Sequence, residues 1–343
     1  MQPAPLPTSP APVAAPPARA WWLGLLGVAL FALSLPMTRL AVGPSARPAL
    51  PPEFVALGRA AVAGLLAGTL LLLRRAPLPP RREWGELALV SAGVVFGFPL
   101  LSALALRRVD AVHASLILAL LPLFTAIVGA WLARQRPSPG FWACAGAGVA
   151  LVMAYALLHG HGPTQRWQPA DGLLAGAMLA GAIGYALGGR LSQRRPAGDV
   201  IGWALVIALP LSLPASVALF PHRPVPASAW GGFAYLAVVS MWLGFLAWYR
   251  ALALGGTVHV SQLQLLQPFL SMLAAVALLG ERLDPSTVGF AAAVLVIVFL
   301  ARRMPVHAAR RLSSPPSGAA PCPSSCRNAA PATPPRRSAN CSG

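Results

Sequence analysis

The sequence predicts an all-α membrane protein: ten transmembrane helices arranged as two inverted-topology five-helix repeats. Three observations carry that expectation. The 343 residues are 57% hydrophobic and only 10% charged, whereas a soluble globular chain carries about 25% charged residues. The apolar residues fall into runs long enough to span a bilayer as helices. The chain also matches itself at one constant offset.

The composition excludes an ordinary soluble enzyme and a disordered scaffold; the mean hydropathy is +0.66. The 26 basic residues face 8 acidic ones, and every basic residue is Arg, because the sequence contains no Lys. That bias reads as the coding preference of a GC-rich genome. A net charge of +18 would point to nucleic acid in a soluble chain. Here the Arg residues lie between apolar runs and no nucleic-acid motif accompanies them, so they read as flanks of membrane spans. Of the four Cys, Cys144 lies in an apolar run and reads as a packing residue, while Cys322, Cys326 and Cys341 lie in a polar tail with no metal-ligand spacing.

Residues 1–19 read as a disordered, Pro-rich tail. Apolar runs then follow at about 21–38, 54–73, 85–106, 109–132 and 140–158, and again at about 172–189, 200–220, 230–249, 258–279 and 286–301. A helix needs about 20 residues to cross the hydrocarbon core. The strands of a transmembrane barrel would be shorter and would alternate in polarity. Residues 20–158 and 171–303 form the two five-helix units, and 304–343 read as a second disordered tail, rich in Ser, Pro and Arg. An even span count puts both termini on one side. Eighteen Arg fall on that side and seven on the other, so the positive-inside rule places both termini in the cytoplasm of a cell bounded by an inner, plasma membrane.

Sliding the chain by 146 residues lays Trp84 on Trp230, Val112-His113-x-Ser115 on Val258-His259-x-Ser261, Pro122 on Pro268, Arg136 on Arg282 and Pro139 on Pro285. Chance matches of Leu and Ala are expected in such a composition, but matches of Trp, His, Pro and Arg are not. Five spans per copy is an odd number, so the second copy enters the membrane in the opposite sense. Many secondary transporters share that plan.

With Pro122 and Pro268 in the fourth helix of each copy, Gly280-Glu281-Arg282-Leu283 after the second of these helices, and Gly58-Arg59 in the second span, the sequence resembles the EamA family of the drug/metabolite transporter superfamily. In the first copy the corresponding turn reads Arg134-Gln135-Arg136-Pro137 and lacks the Glu. The resemblance covers about 20–302. It implies the two-repeat fold and transport of a small amino acid, metabolite or drug-like solute, with export favoured.

A polar group in lipid must find a partner or line water. In the ninth span, Ser261, Gln264, Gln267 and Ser271 are spaced 3, 3 and 4 apart and share one helix face. The offset maps them onto Ser115, Leu118, Leu121 and Thr125, so only the second copy carries amides. The stripe reads either as a substrate-binding surface or as interhelical hydrogen bonding. Trp242 and Tyr249, with Trp248 and Tyr185, are candidate cavity walls. Arg59 reads as a carboxylate partner or as a side chain snorkelling to the interface. Pro122 and Pro268 each remove a helical hydrogen bond and read as hinges or static kinks. His113 and His259 are candidate proton relays, or interfacial hydrogen-bonding groups.

All eight acids, Glu53, Glu83, Glu86, Asp110, Asp171, Asp199, Glu281 and Asp284, fall at span ends or in loops. No mid-membrane carboxylate relay is therefore expected. No catalytic motif, P-loop, cofactor fingerprint or metal-ligand cluster is present in the sequence. The expected partners are a small-molecule substrate and the lipid bilayer, with no nucleic acid; the oligomeric state is open, a homodimer being one option. The reading is a non-ATP secondary transporter working by alternating access, and not an enzyme. Its rival is a membrane-embedded enzyme or sensor, for which the sequence supplies no clustered His, Asp, Glu or Ser.

Overall fold

The computed structural model describes residues 16–43, 49–105, 118, 120–159, 169–279 and 285–308. Almost all of them are helical. The first copy runs α1 (Ala18–Ala32), α2 (Ser34–Val42), α3 (Pro52–Leu73), α4 (Arg81–Val90), a π-helical segment (Ser91–Gly97), α5 (Phe98–Ala105), α6 (Leu121–Leu132) and α7 (Pro139–His159). The second runs α8 (Pro169–Leu191), α9 (Ala197–Ala218), α10 (Ala227–Ala234), a second π-helical segment (Tyr235–Gly244), α11 (Phe245–Gly255), α12 (Thr257–Val260), a 3-10 segment (Ser261–Leu266), α13 (Gln267–Leu279) and α14 (Pro285–Arg303).

Proline sets many of the helix starts. Pro17, Pro51, Pro80, Pro196 and Pro226 each stand immediately before a helix with φ between −54° and −64°. The ring fixes that angle and ends any preceding helix. None of these five starts carries a side-chain cap. Glycine ends two helices: Gly43 after α2 and Gly256 after α11 both have φ of 77°, a left-handed stop that costs glycine little.

Among the described residues, six helical stretches are long and apolar enough to cross a membrane: Ala18–Val42, Pro52–Leu73, Arg81–Ser102, Pro169–Leu191, Ala197–Ala218 and Ala227–Gly255. The eighth run, expected at 230–249, thus extends further at both ends. Leu121–Leu132 and Pro139–Tyr155 are shorter apolar helices. Much of the fourth expected span lies in 106–117, outside the described residues.

The duplication is visible in the backbone. At the same offset of 146 residues, α4 and α10 begin at Arg81 and Ala227, α6 and α13 at Leu121 and Gln267, and α7 and α14 at Pro139 and Pro285. The π-helical segments fall in the same place in each copy. The packing obeys the same exchange. Helix α3 lies on α9 and α7 on α14, each helix on its own counterpart; α1 packs on α11 as α8 packs on α5, and α1 on α13 as α8 on α6.

The two ends of the α3/α9 pair differ in chemistry. At one end Arg195 reaches the carbonyls of Pro77 and Leu78 at 3.2 and 3.0 Å and the Glu83 carboxylate at 2.7 Å. Arg190 pairs with Glu86 at 2.8 Å, and Arg194 stands 3.9 Å from it. At the other end Phe54 stacks on Phe233 with centroids 5.2 Å apart, and Phe220 and Trp230 close against them edge-on. Trp84 belongs to the ionic end, where it donates to the Pro79 carbonyl, and its repeat partner Trp230 belongs to the aromatic end. Equivalent residues at opposite ends are what two copies inserted in opposite senses produce.

Strand pairing was not expected. Gln135–Pro137, between α6 and α7, forms β1 and pairs antiparallel with β2, Val306–Ala308, just beyond α14. The segment from 304, read from its composition as the start of a disordered tail, is therefore tied down through Ala308. The alternation of a three-residue strand is too short to register as a pattern. It also fixes the end of α14 on the same face as the α6–α7 connection.

Candidate functional site

Four elements bring polar atoms into the buried interior. Arg59 lies on α3 about 10 Å along the helix axis from its start, Tyr185 on α8, Trp248 on α11 and Gln264 on the 3-10 segment. Arg59 and Tyr185 interact electrostatically, and the Tyr185 hydroxyl faces the Gln264 amide. Trp248 has no exposed surface and meets Tyr185 edge-on at 5.9 Å and Phe31 at 6.4 Å. Phe245 closes the aromatic shell at 5.9 Å from Tyr185.

The hydrogen-bond accounts of these groups do not close. Arg59 Nε and Trp248 Nε1 are buried without a hydrogen-bond partner, and the Gln264 amide, although it faces the Tyr185 hydroxyl, meets it outside hydrogen-bond geometry, so both amide atoms are unpaired as well. A buried donor or acceptor left unsatisfied costs about 1–3 kcal/mol, and an unpaired buried charge costs more. Buried polar atoms are paired in the great majority of cases; Arg59 and Gln264, the two that interact with Tyr185, therefore mark a place where a polar ligand can be held. Arg59 is half-buried and lies within electrostatic range of Tyr185, and no ion pair joins it to Glu53 among the described residues.

The residues expected to form one stripe are divided by the fold. Ser261–Leu266 is wound as a 3-10 helix, in which residues three apart stay aligned, so Ser261, Gln264 and Gln267 keep one face; the division lies in their hydrogen bonds. Ser261 Oγ donates to the Val258 carbonyl at 3.1 Å and Ser271 Oγ to the Ala32 carbonyl at 2.8 Å. Both hydroxyls are thereby satisfied by backbone. Gln267 is half-buried at the start of α13. Of the four, Gln264 is the one whose amide is buried without a hydrogen-bond partner. In the first copy Thr125, the counterpart of Ser271, bonds instead within its own helix, to Leu121 O at 2.8 Å.

Tyr249 is fully buried and donates to the Gly184 carbonyl at 3.2 Å. Its ring fills the space over Gly188, where a Cβ would stand 2.2 Å from it. This is helix packing, and Gly184-x3-Gly188 is the sequence signal for it. Trp242 is half-buried on the second π-helical segment. Pro268 is the second residue of α13 and Pro122 the second of α6. Both occupy a first α-helical turn, where proline is tolerated because its missing N–H has no intrahelical partner. In the second copy this is also the point where 3-10 winding gives way to α. His113 lies outside the described residues. His259 is buried at the ionic end, with Nε2 3.1 Å from the Met304 carbonyl and its ring 5.9 Å from that of Phe141.

Sequence reasoning passed over Ser91, Trp21 and Trp203. Ser91 Oγ and the two indole nitrogens are also buried without a partner. Ser91 opens the first π-helical segment, a winding often found at functional sites that no propensity signal reveals.

The EamA-like transporter family model matches residues 18–157 and 168–303. An uncharacterized transporter, YdeK, of Bacillus subtilis (strain 168) is 42% identical over 285 residues, 82% of this chain and 96% of that protein. A probable terminal-alkyne amino-acid exporter of Streptantibioticus cattleyicolor is 30% identical over 254 residues, 71% of this chain and 81% of that protein. A solved crystal structure superposes with a TM-score of 0.65 at 22% identity, covering 82% of this chain and 96% of the other, which extends the likeness to the fold. With two consecutive segments that cover most of its length matched by the family model, the chain belongs to the EamA-like transporter family.

Proposed function

We propose that the protein moves a small amphiphilic carboxylate, an amino acid or a related metabolite, across the inner membrane by alternating access, with export favoured over import. In this reading the ten helical runs all span the bilayer, both termini are cytoplasmic, and the Arg-rich ionic end faces the cytoplasm. The observation that carries it is the set of unpartnered polar atoms of Arg59, Gln264 and Trp248 around Tyr185. A half-buried guanidinium without a carboxylate partner among the described residues is matched by an anionic substrate. The amide and indole supply hydrogen bonds, and the rings of Phe31, Phe245 and Trp248 cover an apolar body. The relative named as an amino-acid exporter supports the same substrate class.

Alternating access follows from the duplication. The two ends are related by the repeat yet closed by different contacts, so separating one set while keeping the other opens the centre to one side at a time. Proteoliposome flux across an amino-acid and metabolite panel, with and without a pH gradient, tests the proposal. Saturable flux of a carboxylate solute is expected, and the pH arm reads whether protons are carried, His113 and His259 being the candidate groups. Saturable flux of none of the solutes would contradict it.

A further inference from the structure

A second site stands apart from the central one, at the ionic end. A cavity of about 380 Å³ is lined by His259, Phe299, Arg302, Arg303, Met304 and Val306, among others. It lies where α14 ends and β2 begins, so its floor is held by the pairing of β2 with β1 and by the bond between His259 and the Met304 carbonyl. The Arg302 guanidinium lies over the Trp21 ring at 4.9 Å and that of Arg303 over the Phe299 ring at 4.6 Å. Stacking orients a guanidinium but leaves its N–H edge free to bind. Neither Arg has a carboxylate partner among the described residues.

The surface that leads into this cavity is apolar. Leu295, Val296, Phe299 and Leu300, on the last turns of α14, are each 44–58% exposed. An outward apolar strip that ends in two unpaired guanidiniums matches a molecule with hydrocarbon chains and an anionic head. The cavity is of the size that small-molecule sites take, about 300–1,000 Å³.

We infer that this cavity binds the phosphate headgroup of an anionic phospholipid, whose acyl chains lie along α14. Arg302 and Arg303 hold the phosphate oxygens. The shared chemistry is a phosphate, and its two sources are the lipid and the free anion.

Native mass spectrometry of the full-length protein tests this, after incubation with phosphatidylglycerol, with phosphatidylcholine, or with phosphatidylglycerol in the presence of inorganic phosphate. The expected result is retention of one phosphatidylglycerol and no phosphatidylcholine, with little displacement by inorganic phosphate. The double variant Arg302→Gln/Arg303→Gln should retain phosphatidylglycerol at least about tenfold more weakly. Arg74→Gln/Arg75→Gln, which removes two charges elsewhere at the same end, should retain it as the wild type does, and Arg302→Lys/Arg303→Lys should recover part of the retention. Equal retention by the Gln double variant, an equal loss in the Arg74/Arg75 variant, or full displacement by inorganic phosphate would overturn the assignment.

Discussion

The two copies of the repeat agree in their helix boundaries and differ in what they bring to the centre. Their third, fourth and fifth helices begin at equivalent residues, and both copies carry a π-helical segment in the third helix. Chemistry breaks the symmetry. Counted from the starts of two helices of equal length, Arg59 on α3 corresponds to Ala204 on α9, while Gln264 corresponds to Leu118 under the 146-residue offset. The first copy thus contributes the cation and the second the amide. The duplication supplies the mechanical framework, and substitutions on it supply one oriented site. A substrate with distinct ends needs such an orientation, which a symmetric lining would not give.

The asymmetry can be broken one group at a time. Arg59→Gln should have the largest effect. Truncating one partner of a buried charge pair costs about 2–5 kcal/mol, so transport of a carboxylate substrate should fall by roughly 30-fold or more, measured as kcat/KM in proteoliposomes with normal membrane expression. Gln264→Leu comes next. It makes the second copy resemble the first at that position, and the loss of about one hydrogen bond predicts a fall of roughly three- to tenfold in the same assay. Gln267→Leu should reduce transport less than Gln264→Leu does, because Gln267 is the more exposed of the two amides; the reverse order would move the site to α13.

The smallest effect is expected at Ser271. Its hydroxyl is used by the Ala32 carbonyl, so Ser271→Ala should lower the thermal unfolding midpoint slightly, by the equivalent of about 0.6 kcal/mol, and leave transport unchanged. A large transport defect in Ser271→Ala would return that hydroxyl to the substrate site.

These expectations show which features the sequence made legible. The positions of six spans, the offset and the place of the prolines are all periodic or compositional signals, legible because a bilayer requires a spanning helix to be apolar. The stripe on the ninth span follows from spacing alone, and the 3-10 winding of Ser261–Leu266 keeps residues three apart aligned; the winding itself and the partner each side chain reaches are not legible in the spacing. Local winding depends on tertiary packing, which no spacing rule contains. Arg59 was found because an Arg within a span is rare, but its neighbour Tyr185 lies 126 positions away in the sequence and only the fold brings them together. The two serines gave the same sequence signal as Gln264. Their hydroxyls reach backbone carbonyls and are satisfied, whereas the longer amide reaches past its own helix and is not.

The most direct test of the central site is equilibrium binding of an amino-acid substrate identified by the flux panel, compared with its methyl ester, to purified wild-type protein and to Arg59→Gln. The ester keeps the body of the substrate and removes its negative charge. Wild-type protein should bind the acid roughly 30-fold or more tightly than the ester, and Arg59→Gln should bind the two about equally. The same preference for the acid in both proteins would contradict the assignment of Arg59 as the group that holds the substrate.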